Sequence, residues 1–595
     1  MNPQCQAECS KCCSSKTKPH IVAISELWCD GNKELGPSPS EHSFWGPLEF
    51  SRVASYTRFH FDEYFDKHQK PGDAALIELC KVEKPDLVFL IWLYSERSHV
   101  NPTFETLYKI RYELNIPVIA WWGDTHANFL VELAEMITPF CTKTLSGDSS
   151  KLYLNKASDT ARYFPLPHPK DPTVFNDTNL ERDIDVSFIG TLRGDRAERL
   201  NNIRSLGVDV FHTGGQREAK LPISEYARYL QRSKMTINFV QFNGIEYEKV
   251  AGRMFEATLC GTLLLEPASS DAQAWFEPMK EYVPYSNDED LVNKINYYLE
   301  NPEEREEIAE NGRLKCLQSY TGKNFWNKVI EISQTETSSY HSEALCSLAQ
   351  YWLNRNNLEK AAQYLEKLAK IDKNFAKQYL LKSKILRHNG LIKEAYETLK
   401  YYNEISKPDC EIFIELAELA YALKLENDCL EILTEALHHF PDSLEVLSLI
   451  VSQFPSRLDT VEVLNFCQSE ILKNSTETKT YSSAANLMNG LKLFEQAEQL
   501  ISAGLEHAKD KARYLFEAGL WWEERGNKRQ AKEHYWQSLR PELQKEHAWS
   551  VLPDIITLQY QGHWDKAERL VKHYLPFVTI EQDLLTNKLS ELRNY

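Results

Sequence analysis

No apolar run in this 595-residue chain approaches the roughly 20 residues that a membrane-crossing helix needs; stretches such as Leu87 to Tyr94 are far shorter. Met1 to Lys18 is polar and holds no apolar core, so neither a secretory signal nor a transmembrane segment is expected. Basic charge is also short, with 68 Lys and Arg against 86 Asp and Glu, a net −18. Nucleic acid and anionic membrane surfaces both call for a basic face, so neither is the expected main partner. The 13 cysteines are odd in number and scattered, which predicts mostly reduced thiols in a cytoplasmic protein. Cys5, Cys9, Cys12 and Cys13 crowd one polar stretch; residues 1–19 read as a disordered tail rather than a metal cluster.

What the chain does have is alternation. His20 to Ile24, Asp86 to Trp92 and Pro117 to Trp121 are short apolar runs bounded by Pro, Asp or Gly, with helical periodicity between them, as in Phe104 to Leu114. This predicts a parallel sheet covered by helices over residues 20–180. A second unit, 181–335, opens with the strand Asp185 to Gly190. It continues through Val208 to His212, Met235 to Val240 and Thr262 to Leu265, with helices over Glu289 to Leu299 and Pro302 to Gln318. Ligands of such sheets sit beyond the strand carboxyl ends, and two such units face to face leave a cleft.

From residue 338 the strand signals stop. Ala361, Ala395, Cys429, Val463, Ala497 and Ala531 follow one another at steps of 34, and Ala567 comes two residues late. Ala349, Ser383, Ala417, Ala485 and Gly519 precede these marks by twelve, and Leu365, Leu399, Leu433, Ile501 and Tyr535 follow by four. The period resembles the tetratricopeptide repeat (TPR), two helices crossing at small residues, with about seven repeats over 338–595 and a degenerate fourth containing Pro455 and Cys467.

The chemistry concentrates in Glu248-Lys-Val-Ala-Gly-Arg-Met-Phe-Glu256, two carboxylates eight positions apart, closed by Gly261. The parts suit a nucleotide sugar. Gly252 allows close backbone approach, Arg253 and a helix N-terminus can meet a diphosphate, Glu256 can accept from ribose hydroxyls, and Glu248 would face the sugar ring. The bland alternative is an acidic surface helix, in which such spacing arises by chance.

From Asp185 to about Thr321 the sequence resembles the C-terminal domain of glycosyltransferases of the spore-maturation CgeB type, within the group-1, GT-B-fold transferases. The resemblance is carried by Asp185-Val-Ser-Phe-Ile-Gly-Thr-Leu-Arg-Gly-Asp-Arg196, Ser233-Lys-Met-Thr-Ile-Asn238, Gly252-Arg-Met-Phe-Glu256 with Cys260-Gly261, Trp275-Phe-Glu-Pro, and Tyr297 to Arg305. It implies a GT-B fold, two Rossmann-like domains facing a cleft, followed here by an all-α TPR superhelix. It also implies transfer from a nucleoside-diphosphate sugar, with Gly190, Arg193 and Arg196 joining Gly252, Arg253 and Glu256 on the donor side. No metal and no cofactor is implied; Asp183 and Asp185 read as the polar start of a strand. In the looser N-terminal match, Ile116 to His126 places Asp124 and His126 in the acceptor-side loop, as general base or hydroxyl-orienting groups, or else as a helix cap and a surface histidine. Trp121 and Trp122 read as packing residues. The glycine-rich loop expected after the first strand is poor, Gly31 and Gly46 being the nearest candidates. The expected acceptor is a protein docked by the repeats. The alternatives are a repeat scaffold with an inactive transferase domain, and a transferase for a surface polysaccharide.

Overall fold

The computed structural model describes residues 18–95, 97–123, 128–147, 162–192, 195–214, 221–240, 252–335, 340–405, 407–440, 443–454, 465, 469, 478–508, 511–539, 548–579 and 581–594. The chain divides into two compact units, Met1–Ser339 and Tyr340–Tyr595.

The first unit holds two parallel sheets. Strands β1 (His20–Ser25), β2 (Ser55–His60), β3 (Leu87–Ile91), β4 (Val118–Trp122), β5 (Lys143–Ser146) and β6 (Tyr163–Pro165) form a sheet of order β2-β1-β3-β4-β5-β6. Strands β7 (Ile184–Ile189), β8 (Phe211–Thr213), β9 (Ser233–Ile237), β10 (Leu263–Pro267) and β11 (Val283–Tyr285) form a second, of order β11-β10-β9-β7-β8. β3 is apolar at every position and buried throughout, as a strand covered on both faces must be. β2, Ser-Tyr-Thr-Arg-Phe-His, lies at an edge and is only partly covered. In each sheet the chain reverses its direction of travel once. The switch lies between β1 and β3 in the first sheet and between β7 and β9 in the second, the crevices where such sheets take ligands.

The expected strands are present with two shifts. β8 starts at Phe211 rather than Val208, because Val208 and Val210 are buried ahead of the short paired stretch. β9 ends at Ile237, after which Asn238 turns its side chain to Glu266. The helix Gly322–Ser333 returns to the first sheet: Phe325, Trp326, Val329 and Ile332 join Phe44, Trp45 and Phe89 in one core. The indole N–H of Trp326 donates to the Phe44 carbonyl at 3.2 Å. Gly322 lies against Pro47, where a Cβ would meet its backbone oxygen at 2.6 Å.

The second unit is helical throughout its described residues, from His341–Asn354 to Gln582–Asn594. The residues at the 34-step are the crossing points. Ala361, Ala395, Cys429, Ala497, Ala531 and Ala567 are buried, as are Ala349, Ser383, Ala417 and Ala485 on the facing helices. Ser383 Oγ donates to the Ala395 carbonyl at 3.2 Å, and a Cβ on Gly519 would meet the Tyr535 ring at 2.6 Å. Side chains larger than these would push the helices apart, which is why the small residues recur. Val463, Pro455 and Cys467 lie outside the described residues. Two parallel α/β layers followed by an all-α array is the fold class that the sequence predicts. No described helix is long and apolar enough to cross a membrane.

Candidate functional site

The carboxyl ends of β7 and β9 carry two arginines. Arg253 opens the helix Arg253–Leu259, and its guanidinium donates to Asn238 Oδ1 at 3.0 Å and to the Ile189 carbonyl. Arg196 opens the helix Arg196–Ser205 and reaches the carbonyls of Thr191 at 3.1 Å and Phe239 at 2.9 Å. Each arginine thus spans the ends of the two strands that flank the switch. Both guanidinium groups lie over the Phe188 ring, at 5.1 and 5.9 Å, a face that tolerates cations. Among the described residues Arg253 makes no ion pair, and its Nε–H is buried without a partner. Arg253 and Arg196 thus bring two cations to the carboxyl ends of neighbouring strands.

Glycine is required here for space. A Cβ on Gly190 would meet Arg253 Nη2 at 2.9 Å, and Gly214, at φ 120°, brings its own Cα so close that a Cβ there would meet the Gly190 nitrogen at 2.7 Å. Gly252 has ordinary helical angles, φ −52° and ψ −29°, but a Cβ on it would meet Lys170 Nζ at 3.0 Å and Glu256 Oε1 at 3.2 Å.

Glu256, on the same helix as Arg253, is 8% exposed. Its Oε1 takes an ion pair from Lys170 Nζ at 2.6 Å, and its Oε2 accepts from the Tyr226 hydroxyl at 2.7 Å. Lys170 also donates to Ser43 Oγ at 3.3 Å, so the pair ties the second α/β half to the first. Burial alone would raise the Glu256 pKa, but the adjacent Lys170 and the Tyr226 hydroxyl outweigh it and hold the carboxyl down to about 2. His42, half-buried beside Lys170, is pushed down to about 4 by burial and then by the lysine, and is neutral near pH 7.

Ten residues on, Glu266 behaves in the opposite way. It is 1% exposed at the end of β10 and accepts from Asn238 Nδ2 at 2.8 and 3.1 Å. An amide and the more distant Arg253 do not offset its burial, and its pKa rises to about 8. Asn238 therefore links a neutral acid to Arg253. Sequence reasoning missed this trio, although Asn238 and Glu266 each stand at the polar end of an apolar run.

Arg193, Glu248, Asp124 and His126 fall outside the described residues. On the first sheet Trp121 packs against Phe44 and His168 at 4.8 and 5.3 Å, and Gly123 and Gly147 leave room for its ring. Trp122 is buried. Asp183 and Asp185 sit at the opposite, amino end of β7, paired with Arg232 and with Lys234 at 2.5 Å. Among the described residues no group of three or more His, Cys, Asp or Glu is placed to hold a metal ion.

Residues 189–331 match the family described as glycosyl transferase-like. The matched segment runs from the end of β7 into the helix that returns to the first sheet, and it contains Gly190, Arg196, Arg253 and Glu256. A comparison with curated proteins finds no match. Among solved structures the chain is similar to HepE of Anabaena, crystallised with UDP and glucose, at 11% identity, a TM-score of 0.38, and coverage of 53% of this chain and 100% of that one. It is also similar to a glycosyltransferase from Rickettsia africae, at 12% identity, a TM-score of 0.38, and coverage of 53% and 98%. Likenesses of that size carry no functional argument.

Proposed function

We propose that the chain is a glycosyltransferase that moves a sugar from a nucleoside-diphosphate sugar to an acceptor, without a metal ion. The supporting observation is the arginine pair at the β7/β9 switch, inside the segment that matches the glycosyl transferase-like family. As the bond between sugar and diphosphate breaks, negative charge builds on the leaving phosphate. Arg253 and Arg196 are already held by their hydrogen bonds at the carboxyl ends of β7 and β9, and charge fixed in advance lowers a barrier without reorganisation at the moment of reaction. Gly190 leaves the room in which the Arg253 guanidinium lies, and Gly214 packs directly on Gly190. The Lys170–Glu256 pair joins the link between the sheets to the helix that carries Arg253, and Glu256 retains lone pairs for a ribose hydroxyl. The 34-residue helix pairs support a tetratricopeptide-type array that docks a protein acceptor, in a cytoplasmic setting suited to buried thiols such as Cys80 and Cys316.

Isothermal calorimetry tests the donor half directly. UDP-glucose, the ligand class named for HepE, is the first probe, followed by other nucleoside-diphosphate sugars. Arg253→Ala removes charge-assisted hydrogen bonds worth about 1.5–3 kcal/mol, on the order of tenfold to a hundredfold in affinity. Equal affinity in wild type and folded variant takes Arg253 out of the site. Binding of no nucleotide sugar at all would favour the scaffold reading.

A further inference from the structure

β9 and β10 pair in parallel with Leu265 opposite Ile237, and the backbone N–H of Asn238 donates to the Leu265 carbonyl at 2.9 Å. The next residues, Asn238 and Glu266, therefore stand side by side at the carboxyl ends of the two strands. Asn238 is buried, as Glu266 is. Arg253 can only donate, so the Asn238 amide turns its oxygen to the guanidinium and its nitrogen to Glu266, where it reaches both carboxyl oxygens. The backbone carbonyl of Asn238 accepts from the Tyr285 hydroxyl at 2.5 Å, which ties in β11 as well. Neighbouring strands thus fix one amide, and that amide fixes Arg253.

A glutamine at position 266 could accept the same hydrogen bond from Asn238. What an acid adds is a charge that can appear or disappear. Among the described residues, the titratable groups that act on Glu266 are Arg253, Tyr282 and Tyr285. Burial first of all lifts both tyrosine hydroxyls, Tyr282 to about 12, so neither ionises below pH 9. Burial also outweighs Asn238 and Arg253 at Glu266, whose carboxyl stands at about 8 and is protonated at pH 7. A protonated Glu266 leaves the charge of Arg253 to an incoming anion. An ionised one, joined to the guanidinium through a single amide, would offset that charge.

We propose that Asn238 and Glu266 are positioning residues for the donor diphosphate: Glu266 holds the Asn238 amide, Asn238 holds the Arg253 guanidinium, and the anion is taken up while Glu266 is neutral. The assignment rests on the glycosyltransferase reading above. Donor binding and protonation are then linked in both directions. A diphosphate beside Arg253 draws a proton onto Glu266, and loss of that proton weakens the hold on the diphosphate.

The test is calorimetric titration of the full chain from pH 6.5 to 9, in buffers of differing ionisation enthalpy. The probe is UDP-glucose, or whichever of a panel of UDP- and GDP-sugars binds more tightly; the diphosphate of each keeps its charge over that range. One linked proton at about 8 predicts that the wild-type Kd rises about tenfold between pH 6.5 and 9, with uptake of about half a proton on binding at pH 8. Glu266→Gln has no proton to lose, so its two Kd values should agree within about twofold, with no proton uptake. Asn238→Ala frees the guanidinium and should weaken binding about tenfold at pH 6.5; this second variant decides the matter if Glu266→Gln does not fold. A wild-type Kd that is flat with pH, a pH dependence retained in Glu266→Gln, or an Asn238→Ala chain that binds as tightly as wild type overturns the assignment alone. A wild-type chain that binds no nucleoside-diphosphate sugar overturns the transferase reading and this inference with it.

Discussion

At the carboxyl end of the first sheet a buried acid, Glu26, meets a hydroxyl and two further acids. At the same place on the second sheet two arginines meet backbone carbonyls. Both halves use one device, a strand order that reverses and opens a crevice, but they load it with opposite charge. Under the proposed transfer, the arginine-bearing crevice of the second sheet is the one suited to a leaving anion. Within the second half, Glu256 and Glu266 repeat the lesson at close range. Both are buried, yet one is held at about 2 by Lys170 and the other rises to about 8 beside an amide. Burial sets a common penalty on the charged form, and the presence of a cation decides the outcome.

The largest effect is expected from separating Glu256 and its cation. Lys170→Met leaves a buried carboxylate unpaired and should cost about 3–5 kcal/mol, read as a fall in the urea midpoint of the full chain. Adding Glu256→Gln should recover much of it; a double variant as unstable as the single one would show that Lys170 acts by packing. In the wild type, the depressed Glu256 pKa contributes stability that is present above about 4.5 and lost as pH falls toward 2, so the Glu256→Gln chain should lose less on acidification.

Glu266 should give the reverse sign and a smaller change. Its raised pKa contributes stability that is complete below about 4.5 and lost as pH rises through about 8. Glu266→Gln should therefore gain on wild type between pH 5 and 9, by on the order of a few kcal/mol at most. Thermal midpoints across that range would show it, and a constant difference would mean that Glu266 keeps its charge. The smallest effect belongs to the far end of β7. Asp183→Asn and Asp185→Asn break surface pairs with Arg232 and Lys234, and turnover of a nucleotide sugar should be unaltered. Lost turnover in either would move the chemistry to the wrong edge of the sheet.

The parts legible in the sequence are those that repeat a local pattern. β1, β3, β4, β7 and β10 are apolar runs, and the small residues of the second unit announce their period. β2, β5 and β6 escaped because they are polar at an edge or only three to four residues long. Arg196 and Arg253 were legible through motif resemblance. Glu266 was not, since one acid at the end of one strand carries no pattern until Asn238 is seen beside it. Nor could spacing show that Lys170, far away in the link between the sheets, neutralises Glu256. Long-range electrostatic pairs belong to the fold and leave no mark in local periodicity.

The most direct test of the account is release of nucleoside diphosphate from a UDP-sugar by the full chain in excess EDTA. The account predicts release that persists without metal and falls at least tenfold in Arg253→Ala, given the about 1.5–3 kcal/mol of charge-assisted hydrogen bonding that the arginine supplies. No release from any nucleoside-diphosphate sugar by the folded chain would contradict it. So would release abolished by EDTA and restored by Mn²⁺.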